Sequence, residues 1–364
     1  RIKTIIKQTP EPCLVVVSAI SKATDQLQEI ANSSLSNEYQ PLVDALQKRH
    51  FDLIDSLFHV DSVDRIKSHI VKHIDQLKDI CHSIYVIQER SNKILARIQS
   101  FGELMSSYLL REYFNQEGMN IVWIDSRKMI RANGKYERAV VDFATTTKLM
   151  NSIDQSRNYI AGGFMASNDK GETTLLGRGG SDYSAALYAS GIKASKLEIW
   201  SDVSGMQNAN PRVVKEAGPI REMSYKEAFE MAFFGAKVLY PPTIKPVMEN
   251  DIPLYLKNTF HPEQDGTYIS KTGGQNEGKV KGVSSLPDIS IINISGVGLA
   301  KEKGTARRVF QALEEADVNV ILITQSCSEQ SICLGLNAGD AAAAVKSINT
   351  AFQKEIARTA PKYN

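Results

Sequence analysis

The sequence predicts an α/β protein: a three-layer αβα sandwich around a mostly parallel sheet, followed by a smaller ferredoxin-like α+β module. Three observations predict it. Short β-branched runs alternate with helical stretches over most of the chain, which implies a sheet with helices on both faces. The first run, Leu14-Val15-Val16-Val17, is apolar at every position, the pattern of a strand buried on both faces. A polar, glycine-rich linker, Thr272-Gly273-Gly274-Gln275-Asn276-Glu277-Gly278, then precedes a compact β-α-β-β-α segment, a ferredoxin-like order short of its last strand.

The 364 residues suit two domains, placed at 1–274 and 275–364. Lys plus Arg is 43 against 41 Asp plus Glu, a net charge of +2. That balance argues against a nucleic-acid binder, which carries a basic stripe. No apolar run approaches the roughly 20 residues of a membrane span. The four cysteines, Cys13, Cys81, Cys327 and Cys333, form no Cys-x-x-Cys pair, so a reducing, cytoplasmic setting is expected. Arg1-Ile2-Lys3-Thr4-Ile5-Ile6 reads as the middle of a helix without an N-cap, so an earlier beginning is expected, and the incomplete ferredoxin-like order leads to the expectation of a strand beyond Asn364.

Taken in order, residues 21–99 are nearly free of glycine and carry helical apolar spacing, as at Ile66, Ile70, Ile74 and Leu77. Residues 101–115 continue as a helix. Strands are expected at 120–124 and 157–165, and 173–176 lead into a glycine loop. A helix leaves that loop at 183–190. A strand at 196–203, a helix at 225–234 and a strand at 253–257 complete the larger domain. In the smaller one, strands are expected at 289–294, 318–324 and 331–336, with helices at 305–316 and 341–356.

The glycine loop, Gly177-Arg178-Gly179-Gly180-Ser181-Asp182, carries the strongest chemical signal. Glycines let backbone approach a ligand, and the helix that follows offers free N–H groups and a positive dipole end. Arg178 adds a forked clamp for a carboxylate or phosphate. The alternative, less favoured, is a tight strand-to-helix turn without a ligand. It is not a P-loop, and Asp182 stands where a dinucleotide fingerprint needs its third glycine. Asp202 nevertheless ends a strand about 20 residues on, as a ribose-binding acid would, so an NAD-dependent dehydrogenase stays open at this point. Ser201 and Asp202 lie where open α/β sheets bind ligands, or merely cap a turn. Lys237, alone in an apolar run, is a phosphate ligand or a snorkelling side chain.

Together these segments resemble the aspartate kinases of the amino-acid kinase superfamily. The resemblance rests on residues 177–186, on Trp200-Ser201-Asp202-Val203-Ser204-Gly205 with Asn210-Pro211-Arg212, and on Phe234-Gly235-Ala236-Lys237-Val238-Leu239. Val17-Ser18-Ala19 followed by Thr24-Asp25, and Gly102-Glu103-Leu104-Met105-Ser106, match as well. The last module is similar to ACT regulatory domains. Within it, residues 320–332 look most like the bifunctional aspartokinase–homoserine dehydrogenases.

The resemblance implies that ATP phosphorylates the side chain of L-aspartate, with Mg²⁺ carried on the ATP phosphates and no metal held by the protein. Ala19, Thr24, Glu103, Phe164, Arg178, Gly179, Gly180 and Ser181 would hold aspartate. Ser201, Asp202, Gln207, Arg212, Lys237 and Val238 would surround ATP, with Asp182 and Lys237 catalytic. Gly296, Gly298, Asn319 and Gln325 would hold an amino-acid effector, threonine first and lysine second, in at least a dimer joined through ACT domains. A non-catalytic amino-acid-sensing chain is the alternative. Three departures stand out: the family's N-terminal Lys-Phe-Gly-Gly strand is absent, Gln207 lies in a stretch that usually holds a tyrosine, and Ser201 replaces a threonine while Tyr240 and Pro242 replace His and Arg.

Overall fold

The computed structural model describes residues 1–9, 11–236, 238–274, 280–296, 304–325 and 331–359. They form two compact units, Arg1–Ser284 and Ser285–Asn364. The division falls beyond the expected 274/275 boundary because residues after the linker are tied to the first unit. Val283 N–H donates to the Asn208 carbonyl at 2.8 Å, and Lys281 pairs with Glu227 at 2.9 Å.

The first unit opens with α1 (Ile2–Lys7) and β1 (Leu14–Val17), then four helices: α2 (Ala23–Ser33), α3 (Gln40–Leu57), α4 (Val60–Ile87) and α5 (Asn92–Gln116). β2 (Ile121–Ile124), α6 (Ser126–Met129), β3 (Ala132–Asn133), β4 (Val140–Val141) and α7 (Phe143–Met150) follow. Next come β5 (Asn158–Gly162), β6 (Met165–Ser167), β7 (Thr173–Leu175), α8 (Gly180–Gly191) and β8 (Leu197–Ser201). β9 (Glu222–Ser224), α9 (Tyr225–Phe233), α10 (Ile244–Glu249), β10 (Leu254–Asn258) and β11 (Thr267–Ser270) complete it.

Parallel pairing dominates. One sheet is β1-β5-β2, parallel throughout. A second is β8-β10-β11-β9, in which β10–β8 and β11–β9 are parallel and β10–β11 antiparallel, and β3-β4 and β6-β7 form two small antiparallel sheets. The helical stretch buries one apolar stripe: Ile66, Ile70, Ile74 and Leu77 of α4 lie with Ile98, Leu104 and Met105 of α5 in a single core. That spacing is the helical repeat read from the sequence.

One expected strand divides. Residues 157–165 form β5 and the start of β6, separated at Gly163-Phe164, where Phe164 has φ +64°. The strand expected at 196–203 stops at Ser201, so Asp202 lies in the turn beyond it.

The second unit contains β12 (Ile289–Ser295), α11 (Thr305–Glu315), β13 (Val320–Gln325), β14 (Ser331–Asn337), α12 (Ala341–Ala351) and α13 (Gln353–Thr359). Its sheet is antiparallel in the order β12-β14-β13. Val309 and Leu313 of α11 pack with Leu334 and Leu336 of β14 and Ala344 and Ile348 of α12. The helix expected at 341–356 breaks at Phe352, whose side chain turns into that core.

Candidate functional site

The site is assembled around α5, α8 and the carboxyl end of β1. α5 is capped by Ser91, whose side chain accepts from Ile94 N–H at 3.4 Å, and residues 100–109 are buried throughout. A buried helix face must satisfy its polar groups internally. Ser106 Oγ donates to the Ser18 carbonyl at 2.8 Å, and Trp123 Nε1 donates to Ser107 Oγ at 2.9 Å. Glu103, 3% exposed, accepts from Ala19 N–H through Oε1 at 3.3 Å. Its Oε2 is buried without a hydrogen-bond partner. Burial pushes the Glu103 carboxyl up to about 7, against the lowering effect of the Ala19 N–H. A buried carboxylate with a vacant oxygen is well matched to a cation that arrives with a ligand.

Above Glu103 lies the turn between β5 and β6. A Cβ on Gly162 would sit 3.0 Å from the Glu103 carbonyl oxygen, and one on Gly163 would sit 2.6 Å from Ser181 Cα. Only hydrogen fits at Gly163. Phe164 holds a left-handed backbone, which costs a bulky residue on the order of 1–3 kcal/mol. Two walls therefore meet here, the strand-end turn and the first turn of α8.

The glycine loop forms the second wall. Gly177 and Gly179 both have positive φ, at +76° and +66°. Gly179 is the N-cap of α8, and a Cβ there would lie 2.4 Å from the Tyr240 side chain. α8 begins at Gly180 rather than at residue 183, with the left-handed Gly179 as its N-cap. Arg178 is exposed between the two left-handed glycines. Asp182, in the first turn of α8, is half-buried, and burial pushes its carboxyl up to about 6.

A cavity of about 840 Å³ joins the end of β1 to these elements. Ser18, Ala19, Ser106, Ser181, Asp182 and Trp200 line it. β1 and β8 each pair on one side and both face this space. The structure thus brings Ala19, Ser181 and Asp182 to one cavity, with Glu103 hydrogen-bonded behind Ala19 and Phe164 packed on Gly180. Thr24 is half-buried in the first turn of α2 and is not on that wall.

The residues expected around a nucleotide sit on a looser segment. Ser201 ends β8, and its Oγ accepts from Val203 N–H at 3.4 Å. Asp202 and Arg212 are exposed, and Gln207 is half-buried in an isolated bridge to Pro219. Arg212 N–H is held by Asn210 Oδ1 at 3.0 Å, an Asx-type turn. Val238 is partly buried against the core of the second sheet. Lys237 lies outside the described residues.

Sequence reasoning missed the residues that anchor this loop. Met206 N–H donates to Thr267 Oγ1 at 2.8 Å, which itself donates to the Ile220 carbonyl at 2.6 Å. Asn258 Nδ2 donates to Ser204 Oγ at 2.9 Å. These partners are 54 to 61 residues from the loop they hold, so no local motif announces them.

In the second unit Gly296 follows β12 and is exposed, Asn319 is exposed just before β13 rather than on it, and Gln325 is the exposed last residue of β13. Gly298 lies outside the described residues. Among the described residues no group of three or more His, Cys, Asp or Glu is placed to hold a metal ion, and no helix is long and apolar enough to cross a membrane.

Comparison with known proteins adds to this geometry. Residues 1–258 match the amino acid kinase family and residues 292–352 an ACT domain. The chain is 33% identical to the chloroplastic bifunctional aspartokinase/homoserine dehydrogenase of Daucus carota, over 97% of this chain and 40% of that protein. It is 32% identical to lysine-sensitive aspartokinase 3 of Escherichia coli, over 89% of this chain and 71% of that protein. The crystal structure of E. coli aspartokinase III with aspartate and ADP superposes with a TM-score of 0.72 at 25% identity, covering 96% of this chain and 95% of that one. The chain spans about 40% of the length of the bifunctional plant protein it matches.

Proposed function

The chain belongs to the amino acid kinase family, and within it to the aspartokinases; from that premise we propose that it transfers the γ-phosphoryl of ATP to the side-chain carboxylate of L-aspartate, giving 4-phospho-L-aspartate. The observation that carries this reading is the buried, unpartnered Oε2 of Glu103, whose other oxygen is held by Ala19 on the cavity wall. It suits the ammonium group of an amino acid. Arg178, exposed between two left-handed glycines, offers a forked guanidinium to a carboxylate.

The substrate carboxylate is ionised at neutral pH and is itself the nucleophile. Its oxygen forms the new bond to the γ-phosphorus, the bond to the bridging oxygen breaks, and ADP leaves. No general base and no covalent enzyme intermediate are required. Catalysis rests on alignment and on neutralising the moving phosphoryl. Lys237 and the substrate's own Mg²⁺ supply positive charge, and Asp182 orients these cations. Ser201, Asp202, Gln207, Arg212 and Val238 receive the nucleotide.

The second unit acts as a sensor in this proposal. Gly296, Gly298, Asn319 and Gln325 would read an amino-acid end product, threonine or lysine, in an enzyme that is at least a dimer. The reaction would serve lysine, threonine and methionine synthesis in the cytoplasm; Cys13, Cys81 and Cys333 are free thiols, as a reducing compartment allows.

The test has two arms on the longest natural protein that carries this sequence. ATP-dependent trapping of the acyl phosphate by hydroxylamine should require L-aspartate and should fall by about 10²–10³ in Lys237→Ala. Calorimetry should show threonine or lysine binding that Gln325→Ala weakens. ATP hydrolysis indifferent to aspartate would overturn the kinase reading, and failure to bind either amino acid would overturn the sensor.

A further inference from the structure

We propose that Ser184 is a positioning residue for the amino-acid substrate: its hydroxyl locks the Gly162-Gly163-Phe164 turn to the first turn of α8. The proposal rests on the aspartate reading above and adds the device that keeps the two walls of that pocket in register.

Ser184 is fully buried. Its Oγ accepts from Phe164 N–H at 3.0 Å and donates to the Gly180 carbonyl at 2.8 Å. A serine hydroxyl has one donor and two acceptor positions, so both bonds form together. The bond to Gly180 is the ordinary backward bond of a helical serine, which by itself does little for a helix. The bond to Phe164 leaves the helix and reaches a residue 20 positions earlier.

What it holds is a backbone that bulky residues avoid. Phe164 has φ +64°, outside the broad minima of an aromatic residue. The neighbouring groups are also clamped: Leu176 N–H donates to the Phe164 carbonyl at 2.8 Å, and Gly163 N–H donates to the Val17 carbonyl at 2.9 Å. A second strap runs beside the first. Ser126 Oγ donates to the Gly162 carbonyl at 2.5 Å and shares a 2.9 Å bond with Tyr188, one turn along α8 from Ser184.

The two walls approach closely at their glycines. A Cβ on Gly180 would lie 2.8 Å from the Phe164 ring, and one on Gly163 would lie 2.7 Å from Ser181 Cβ. Glycines at both positions let the walls interlock, and the Ser184 hydroxyl fixes which way they do. Without it, the Phe164 N–H loses its buried acceptor and the turn is free to relax toward ordinary φ. Phe164 and Ser181 would then no longer present themselves together to aspartate.

Ser184→Ala and Ser184→Thr test this against the parent chain. The measurements are amide hydrogen exchange at Phe164 and calorimetric affinities for L-aspartate and ATP. In Ser184→Ala, exchange at Phe164 should speed by about tenfold or more and aspartate affinity should fall by about tenfold, the scale of one lost hydrogen bond with a buried orphan. ATP affinity should stay within about twofold of the parent. Ser184→Thr keeps the hydroxyl and should restore both. If Ser184→Ala does not fold, Ser184→Cys, similar in size but a weak hydrogen-bonder, carries the same expectations.

Unchanged exchange at Phe164 overturns the proposal. So does equal loss of ATP and aspartate affinity, faster exchange with aspartate affinity intact, or failure of Ser184→Thr to rescue. A parent chain that binds ATP but not aspartate overturns the functional reading instead, while the Phe164 exchange still reports whether Ser184 positions the turn.

Discussion

The half of the site proposed for the amino acid and the half proposed for the nucleotide both sit at strand ends, yet they are made differently. Around Phe164, the polar side chains of Glu103, Ser106, Ser126 and Ser184 are buried and those of Ser181 and Asp182 half-buried, and glycines at 162, 163 and 180 bring backbones together where a Cβ would crowd its neighbours. Around Ser201, Asp202, Gln207 and Arg212 the side chains are half-buried or exposed, and the loop is tied down from beneath by Thr267 and Asn258. The first half has its recognition built in before a ligand arrives. The second has a rigid base and a solvated face. Pre-organised, desolvated groups give larger energetic returns per contact than exposed ones. The two halves should therefore respond very differently to single substitutions.

The largest effect is expected at Glu103. Glu103→Gln keeps the shape and removes the charge that would meet the substrate ammonium. Aspartate kcat/KM should fall by about 10²–10³, with ATP KM nearly unchanged, in steady-state kinetics. The pH dependence has a definite sign. With the carboxyl near 7, the ionised form grows as pH rises, so aspartate KM should fall through about 7 in the parent and lose that slope in Glu103→Gln. Stability runs the opposite way. Below about 4.5 the group is protonated in both states, and between there and about 7 the unfolded chain gives up a proton that the folded chain keeps. Folding should weaken by about 3 kcal/mol across that window and then level off. Denaturant titrations from pH 4 to 8 on both proteins check it, and parallel curves would contradict the assignment.

A second prediction contrasts two glycines. Gly163→Ala forces a methyl to within 2.6 Å of Ser181 Cα, whereas Gly218, beside the nucleotide loop, has nothing within 4 Å of a Cβ. Overpacking of this kind costs about 1–3 kcal/mol or more. Gly163→Ala should lower the midpoint of thermal unfolding by several degrees and weaken aspartate binding. Gly218→Ala should leave stability within about 0.5 kcal/mol. Equal responses would erase the distinction between the halves.

The same contrast explains what was legible in the sequence. The glycine loop and its helix form a run of neighbouring residues, and the α4 stripe repeats at helical spacing, so local pattern reveals them, whereas Glu103 stands out only through the family resemblance. The order of strands and helices in the second unit reads out for the same reason. What local pattern hides is long-range closure. Phe164 splits an expected strand with a left-handed backbone, and its N–H is held by a buried serine 20 residues on. β9 and β11 pair with each other across more than 40 residues and are three and four residues long, too short to show alternation. Thr267 supports the nucleotide loop without any motif. The anchors of a site are thus less visible than its ligand-facing residues.

An intermediate effect is expected at Arg212. It is exposed, and its loop is held through Asn210 rather than through its own guanidinium. An exposed charge is worth about 0–1 kcal/mol in a pair, so Arg212→Ala should raise ATP KM by less than about tenfold and leave aspartate KM alone. A loss as large as that of Glu103→Gln would mean that the loop closes over the nucleotide and buries Arg212.

The smallest effect, and the finest probe of the comparison, is at Gln207. This residue is half-buried and forms an isolated bridge with Pro219. Its backbone is thus fixed while its side chain borders solvent. An amide offers little to a purine face, whereas an aromatic ring adds roughly 0.5–1.5 kcal/mol by stacking. Gln207→Tyr should therefore tighten ATP binding by about three- to tenfold in calorimetry. Aspartate affinity should not move, because no element of the amino-acid half touches this bridge in the hydrogen-bond network described above. If ATP affinity stays the same, residue 207 does not face the base, and the nucleotide half draws its affinity from the phosphates alone. If aspartate affinity shifts with it, the two halves are coupled through the loop, and the division drawn between them fails at this point.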